Sequence, residues 1–377
     1  MAVFKIYWKK FAMQPQQIKI AAQEVLEQIL TTSQPASEVM NTYTRSRRYI
    51  GSKDRRALAD IVWGVLRAYR RLEYDLPNGM LADKIEALLT GKYTPDYRPD
   101  GASDDVCFEV PDWMIARVEN ACQELPALLQ TPDTVLRANG NREKIIQAFL
   151  KEGIETEPTR HSPYGLVLKK RVNLNVCQVY KNGLVEVQDE GSQLVALETG
   201  IKAGDTVLDY CAGAGGKSLI FAQMMLGRGQ IVAHDVSTQS LKELEKRAIR
   251  AGVKIIKTVS PIKADKYPNG FDHVVVDAPC SGTGTWRRCP DARLKLTEVQ
   301  VADICQKQAD ILDKACVFVR SGGYLSYMTC SLLMQENKKQ VDAFLTRHPD
   351  FEFVREKQCS PFRTGTDGLY VGILKRK

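Results

Sequence analysis

Residues 206–218 read TVLDYCAGAGGKS, and this stretch decides the fold. The apolar run at its start predicts a β-strand, and the glycines after it predict a tight turn that opens a helix. Glycines in such a turn let the backbone approach a ligand closely. The ending Gly216-Lys217-Ser218 is also typical of a nucleoside triphosphate loop, but that loop needs a glycine where this chain has Cys211. We therefore expect a strand–turn–helix ligand site and disfavour an ATPase.

Short β-rich runs continue at intervals after this stretch: QIVAHD, KIIKTV, HVVVDAP, YLSYMTC and YVGILKR. After the first of them, STQSLKELEKRAIRAG begins with a serine cap and ends at a glycine, as a helix does. Such alternation of strands and helices predicts an α/β fold whose parallel sheet is covered by helices on both faces. We place this domain at residues 196–377.

Two further regions precede that domain. Over residues 1–105, apolar residues recur at helical spacing and predict a helical domain, whose last stretch, LTGKYTPDYRPDGASDD, is rich in Gly, Pro and Asp and predicts a linker. Residues 106–195 mix a helix-like stretch, NREKIIQAFLKEGI, with the strand-like GLVLKKRVNLNV and GLVEVQDE. This mixture predicts a small α+β domain.

The composition excludes several classes of protein. The chain has 377 residues and ten cysteines with no Cys-x-x-Cys pair, which argues against a zinc site and a disulfide framework. We therefore expect no metal, and the reducing cytoplasm as the location. The sequence has no run of 18 apolar residues, and the N-terminus MAVFKIYWKKFAMQPQQ lacks the pattern of a secretion signal. No membrane segment is expected.

A basic run, TRSRRYIGSKDRR, lies within the helical region, and the whole chain has a formal net charge of +8. The charge indicates an acidic partner such as nucleic acid. Six cations set against one acid favour phosphate contacts, although a charge run is also typical of a solvated face. The six cations are Arg45, Arg47, Arg48, Lys53, Arg55 and Arg56.

Ligands of parallel sheets lie at the carboxyl ends of the strands, so the residues after each strand are the site candidates. Asp235 follows the second strand, twenty residues beyond Gly215, which is about the spacing at which an acid meets ribose hydroxyls. Asp265 follows the third strand. A glycine turn with a ribose acid indicates a ligand that contains adenosine.

Two cysteines also follow strands. Cys280 lies after the fourth strand in DAPCSGTG, beside Asp277, and Cys330 lies after the fifth in TCS. If these two strands are neighbours, both thiols can face one substrate. A buried cysteine is commonly inert, but strand-end loops carry sites more often than strand middles do.

Together these motifs resemble the Sun-type, RsmB-like RNA 5-methylcytosine methyltransferases. CAGAGGK resembles that family's S-adenosylmethionine loop, usually written CAAPGGK, with Ala214 in place of the proline. DAPCSGTG and TCS are the family's two cysteine motifs, and RRCPDARLK, VEVQDEGSQLVA and DGLYVGILKR also fit. The upstream RRYIGSKDRRALADIVWGVLR is similar to the antitermination-factor-like RNA-binding domain of the RsmB branch.

The resemblance implies a Rossmann-like S-adenosylmethionine-dependent methyltransferase domain with a mixed, mostly parallel sheet. It implies that Cys330 attacks carbon 6 of a cytosine, that Cys280 assists release, and that Asp277 holds the base edge or the cofactor amine. Carbon 5 is otherwise too weak a nucleophile to take a methyl group, and a thiolate at carbon 6 activates it.

The resemblance also assigns binding residues. S-adenosylmethionine would lie against Asp235, Asp265, Asp277 and the loop that comprises Cys211, Ala212, Gly213, Ala214, Gly215, Gly216 and Lys217. Arg287 and Arg288 would join the six cations in binding RNA. The sequence leaves Lys217 open between a cofactor contact and a substrate phosphate contact.

The implied substrate is RNA, with 16S ribosomal RNA as the first candidate and transfer RNA as the alternative. The target base has to be unpaired or flipped out for a thiol to reach it. A DNA cytosine methyltransferase would use Cys280 as the nucleophile and leave Cys330 unexplained, and a non-catalytic RNA-binding protein would need neither thiol. We expect a monomer.

Overall fold

The computed structural model describes residues 13–267 and 270–377. Within them the helices are, in chain order, α1 (Pro15–Thr31), α2 (Ala36–Ser46), α3 (Ser52–Arg67), α4 (Tyr69–Asp75), α5 (Leu81–Leu89), α6 (Asp104–Cys107), α7 (Asp112–Ile115), α8 (Ala121–Ala127), α9 (Arg142–Lys151), α10 (Gln178–Lys181), α11 (Glu190–Leu197), α12 (Gly216–Met224), α13 (Thr238–Arg250), α14 (Ala292–Lys295), α15 (Glu298–Ala315) and α16 (Lys338–Arg347). The expectation about a secretion signal concerned residues 1–17, of which 1–12 lie outside the described residues.

The strands build two sheets. They are β1 (Val135–Ala138), β2 (Thr156–Pro158), β3 (Gly165–Leu168), β4 (Val185–Val187), β5 (Thr206–Asp209), β6 (Gln230–His234), β7 (Ile256–Val259), β8 (Phe271–Asp277), β9 (Val319–Thr329), β10 (Phe351–Cys359) and β11 (Leu369–Arg376). The small sheet has the order β2-β3-β1-β4 and is antiparallel throughout. The large sheet has the order β10-β11-β9-β8-β5-β6-β7.

The large sheet is mixed and mostly parallel. Strands β9, β8, β5, β6 and β7 run parallel, while β11 runs antiparallel to both of its neighbours, β9 and the edge strand β10. Successive residues of a strand point to opposite faces of the sheet. Val207 and Val275 accordingly lie in one hydrophobic core, and Leu208 and Val274 lie in the other. A strand that is buried on both faces needs this continuous apolar character. The expected α/β, Rossmann-like fold is confirmed.

Helices α1 to α8 form a compact unit of their own. This unit runs to Thr131 and also includes the later segment Thr285–Glu298, whose Trp286 is buried. The Nε1 group of Trp63 on α3 donates a hydrogen bond to the carbonyl of Arg288 in that segment, at 3.3 Å. The structure thus differs from the expected domain boundary at residue 105.

The stretch 89–105 does not act as a linker. The hydroxyls of Tyr93 and Tyr97 donate hydrogen bonds to the carboxylate of Asp75, at 2.9 and 2.7 Å. The buried guanidinium of Arg71 donates to the carbonyl of Tyr97 at 3.1 Å and to Glu109 at 2.8 Å. A buried ion pair must stay satisfied, so it fixes this stretch and the residues after it to α4.

The second compact unit contains both sheets, in Pro132–Gly284 and Val299–Lys377. Gln193 of α11 shows why the small sheet is not separate: its amide donates to the carbonyl of Leu136 in β1 at 3.4 Å, while α11 packs on β11 of the large sheet. The expected division at residue 195 is therefore not a boundary between compact units. None of the described helices is both long and apolar enough to cross a membrane.

Candidate active site

The glycine-rich loop joins β5 to α12 at the carboxyl edge of the large sheet. Gly213 and Gly215 have φ angles of 52° and 82°, in the left-handed region that favours glycine. A Cβ atom at Gly215 would lie 2.4 Å from Leu244, whereas a Cβ atom at Gly213 or Gly216 would meet no other described atom within 4 Å. One side of the loop is therefore packed on α13 and the other side is open, as a ligand cradle requires.

Asp235 stands beside this open side. Its carboxylate accepts hydrogen bonds from the backbone N–H groups of Gly213 and Ser237, both at 2.8 Å. The loop after β5 is therefore tied to the acid after β6, which lies partly exposed next to the cradle. The glycine cradle and its flanking carboxylate fit a nucleoside with free ribose hydroxyls.

Lys217 and Asp277 form an ion pair between the loop and the end of β8. Their Nζ and Oδ2 atoms are 2.6 Å apart, and the lysine side chain is 9% exposed. Burial opposes the charge of Lys217, but Asp277 and the sulfur of Cys330 outweigh it and raise the lysine pKa above its usual value. The ammonium group is thus held charged next to both the aspartate and one of the thiols.

The two predicted thiols meet. Because β8 and β9 are adjacent and parallel, Cys280 and Cys330 lie at the same rim, with their sulfur atoms 3.2 Å apart. The backbone N–H of Cys330 also donates to the sulfur of Cys280, at 3.3 Å. The hydrogen bond with Cys330 and burial raise the pKa of the Cys280 thiol well above its usual value. Cys280 is therefore the thiol that keeps its proton.

Asp209 is a buried carboxyl group that the sequence reasoning did not select. Its Oδ2 atom accepts a hydrogen bond from the hydroxyl of Ser218 at 2.6 Å, and burial is the main cause that raises its pKa to about 7. Ser218 would have to ligate magnesium in a triphosphate loop, but here its hydroxyl is directed to a buried carboxyl group. This hydrogen bond occupies the hydroxyl that an ATPase would use to bind magnesium and so disfavours the ATPase interpretation.

Two more residues hold the glycine-rich loop although they lie far from it in sequence. The amide of Gln188 donates to the carbonyl of Gly216 at 3.1 Å. The guanidinium of Arg247 donates to the carbonyl of Ala214 at 2.7 Å and to Glu186 at 3.0 and 3.1 Å. Gln188 lies within the motif VEVQDEGSQLVA and Arg247 lies in none of the family motifs, but in both cases only the fold reveals the contact with this loop.

The remaining predicted residues lie elsewhere. Asp265 is exposed in a short 3₁₀ turn after β7. Arg287 is buried in the helical unit, and its carbonyl accepts a hydrogen bond from Arg67 at 3.1 Å. Arg288 is half-buried in the same segment.

The basic run spans the end of α2 and the start of α3. Its exposed members are Arg45, Arg48, Lys53, Arg55 and Arg56. Arg47 is half-buried, with its guanidinium 3.7 Å from the ring centre of Tyr43. Throughout residues 13–267 and 270–377, no group of three or more His, Cys, Asp or Glu side chains is placed to hold a metal ion.

Known proteins are similar to this chain in sequence and in fold. Residues 196–370 match the family described as 16S rRNA methyltransferase RsmB/F. The probable ribosomal RNA small subunit methyltransferase B of Bacillus subtilis (strain 168) is 31% identical over 347 residues, which are 85% of this chain and 75% of that protein. The chain belongs to the RsmB/F family.

Solved structures agree on the fold of this RsmB/F family member. The crystal structure of PH0851 covers 97% of this chain and 100% of its own, with a TM-score of 0.79 and 22% identity. That of NSun6 from Pyrococcus horikoshii with SFG covers 68% of this chain and 94% of its own, with a TM-score of 0.61 and 19% identity. The protein is a methyltransferase, and its cofactor is S-adenosylmethionine.

Proposed function

We propose that this methyltransferase modifies carbon 5 of a cytidine in RNA through a transient covalent bond to Cys330. The observation that supports it best is the 3.2 Å separation of the Cys280 and Cys330 sulfur atoms at the ends of adjacent strands. Methylation of a nitrogen or an oxygen needs no protein nucleophile. A carbon that is a poor nucleophile does need one, and a thiolate that adds to carbon 6 supplies it.

The environments of the two sulfur atoms suggest different roles. Cys280 holds its proton and shares a hydrogen bond with Cys330, so Cys330 is the better nucleophile. The charged ammonium of Lys217 interacts electrostatically with the sulfur of Cys330. In the proposed reaction the Cys330 thiolate adds to carbon 6, and the activated carbon 5 takes up the methyl group that the cofactor would supply. Cys280, after releasing its own proton to solvent, accepts the carbon 5 proton, and the Cys330 thiolate is expelled as the ring double bond re-forms.

The remaining residues orient the base and the cofactor. Asp277 can accept a hydrogen bond from the amino group of cytosine or of the cofactor, since Lys217 contacts one of its two oxygens at 2.6 Å. Residues 211–217 and Asp235 would hold S-adenosylmethionine, and the exposed Asp265 is assigned to the same cofactor. When bound there, the cofactor supplies an electrophilic methyl group.

We assign ribosomal RNA of the small subunit as the substrate, because the matched family and the B. subtilis relative carry that substrate in their descriptions. The exposed cations between α2 and α3 would contact RNA phosphates. The location of Arg287 within the helical unit makes it a weaker candidate for such a contact than Arg45 or Arg48.

Transfer of a labelled methyl group tests the substrate and the reaction together. The purified protein with S-adenosylmethionine is expected to label unmodified 16S ribosomal RNA, and bisulfite sequencing of that RNA is expected to show a newly protected cytidine. Transfer RNA and duplex DNA, offered separately, test the two alternatives. If the RNA becomes labelled but bisulfite sequencing shows no protected cytidine, carbon 5 is not the target, although the protein is still an RNA methyltransferase.

A further inference from the structure

Glu336 is a fully buried carboxylate six residues beyond Cys330, in a 3₁₀ turn between β9 and α16. Its Oε1 atom accepts hydrogen bonds from the backbone N–H of Ser281 at 2.8 Å and from the amide of Gln308 at 3.0 Å. Its Oε2 atom accepts from the hydroxyl of Ser331 at 2.5 Å and from the hydroxyl of Ser281. A buried carboxylate is stable when its oxygens are satisfied in this way.

These partners are the residues that directly follow the two thiols. Ser281 follows Cys280, and Ser331 follows Cys330, so one carboxylate holds both cysteine loops. Gln308 of α15 extends the connection, since its amide also donates to the carbonyl of Pro279, on the other side of Cys280. The loops therefore do not meet through the sulfur atoms alone.

A second set of bonds joins the same two loops. The hydroxyl of Thr283 accepts a hydrogen bond from the backbone N–H of Leu332 at 2.9 Å and lies 3.0 Å from the hydroxyl of Ser331. The bond between Leu332 and Thr283 does not involve Glu336, so it is expected to keep the two loops close together when Glu336 is substituted. The thiol separation, however, depends on the residues next to the cysteines, and Glu336 binds those residues directly.

We propose that Glu336 is a positioning residue that fixes the Cys280 and Cys330 loops at the separation and orientation that the reaction needs. The proposal rests on the covalent reaction proposed above. It assigns the effect of Glu336 to hydrogen-bond geometry across the two loops. Correct placement of reacting groups within about 1 Å is worth on the order of a hundredfold in rate.

Glutamine and alanine substitutions separate geometry from charge. In Glu336→Gln the amide oxygen can accept from Ser281 N–H and Gln308, while the amide NH₂ can donate to the two serine hydroxyls, which rotate to accept. All four bonds then survive without a charge. In Glu336→Ala all four are removed. A positioning role therefore predicts near-parental chemistry from the glutamine variant and a decrease of about a hundredfold from the alanine variant.

The test measures how fast the protein–RNA adduct forms in a Cys280→Ala background, where the proposed reaction stops after methylation. Adding Glu336→Ala is expected to slow adduct formation about a hundredfold, and adding Glu336→Gln is expected to restore most of the rate. Glu356→Gln is the matched control, because the Glu356 carboxylate also accepts a hydrogen bond from a hydroxyl, that of Tyr370, but is exposed on β10. Its adduct rate is expected to be unchanged.

Calorimetric S-adenosylmethionine affinity shows whether each variant is folded. If Glu336→Ala fails to fold, Ser331→Ala removes one of the four bonds and is expected to slow the adduct by a smaller factor. An alanine variant with the parental adduct rate, or a glutamine variant as slow as alanine, would overturn the proposal. Absence of any adduct when Glu336 is intact would instead overturn the covalent reaction itself.

Discussion

Asp209 couples the stability of the fold to pH. Folding raises its pKa from about 4 to about 7, mainly through burial, so between these values the folded state holds a proton that the unfolded chain has released. The resulting stabilisation is complete below about pH 4. The free energy of unfolding then falls by about 1.4 kcal/mol per pH unit between pH 4 and pH 7, and the stabilisation is lost once the pH has passed 7.

Asp209→Asn removes that titration while keeping the size of the side chain. The free energy of unfolding of the variant, relative to the parent, is expected to rise between pH 5 and pH 8 in urea denaturation. Asp272→Asn is the control, because hydrogen bonds from Thr206 outweigh burial and lower the pKa of Asp272 to about 2, outside that range. Parallel pH profiles for the parent and Asp209→Asn would contradict the assignment.

Asp235 is expected to contribute to cofactor affinity in two ways. Its carboxylate can bind ribose hydroxyls, and it holds the N–H of Gly213 in the loop. Since hydrogen bonds to charged groups are worth roughly 1.5–3 kcal/mol, Asp235→Ala should weaken S-adenosylmethionine binding about tenfold to a hundredfold in calorimetry. Glu243→Gln on the exposed face of α13 should leave the affinity unchanged, and equal affinities for all three proteins would refute this role.

Helix α13 covers the large sheet and also contacts the glycine-rich loop through Arg247. The guanidinium of Arg247 on this helix donates hydrogen bonds to the carbonyl of Ala214 and to the carboxylate of Glu186 on β4, so one side chain connects the small sheet with the glycine-rich loop. Ala214 occupies a position where proline would fix φ and reduce the entropy of the free loop. We infer that Arg247 supplies part of that rigidity.

Arg247→Ala should weaken S-adenosylmethionine binding about tenfold, because it removes one charge-assisted hydrogen bond to the loop. Ala214→Pro in the same chain should recover part of the affinity. Arg250→Ala is the control, since it removes the other arginine that binds Glu186. A proline substitution that gives no recovery in the Arg247→Ala background, measured by calorimetry, would show that loop rigidity is not what Arg247 provides.

The elements also show what the sequence could and could not predict. Strands β5, β6, β8, β9 and β11 were predictable because their apolar runs are largely buried, and β7 because its run is rich in β-branched residues although it lies at an edge and is only partly buried. Strand β10, FEFVREKQC, is the other edge strand, with mostly exposed residues and no apolar alternation. Cys280 and Cys330 could be selected from their loops. Their contact depended on the order of β8 and β9, which no local pattern specifies.

At the scale of the whole molecule, the sequence predicted three regions but not their boundaries. The helical unit extends to residue 131 and includes Thr285–Glu298, because buried partners such as Glu109 and Trp286 belong to it. Pairings across such distances in sequence leave no periodic signal. The same reason explains why the sequence could not connect Gln188 and Arg247 with the glycine-rich loop, or Glu336 with the Cys280 loop.

The exposed cations between α2 and α3 predict a salt-dependent contribution to RNA binding. Arg48→Gln with Arg56→Gln should flatten the slope of log affinity against log salt by about 0.7 for each RNA phosphate that the variant no longer neutralises on a single strand. Lys19→Gln with Lys92→Gln changes the net charge equally but alters side chains that are paired with Glu86 and Asp75. Equal slopes for both double variants would mean that the basic run is only a solvated surface.

The covalent adduct tests the central claim most directly. Each cysteine is changed to alanine separately, the variant is incubated with unmodified ribosomal RNA and S-adenosylmethionine, and the mixture is run on a denaturing gel. If Cys330 attacks and Cys280 assists release, Cys280→Ala accumulates a protein–RNA adduct that survives denaturation, while Cys330→Ala is inactive and leaves the RNA free. An adduct trapped by Cys330→Ala instead would contradict the assignment of the two thiols, and normal turnover by both variants would contradict covalent catalysis.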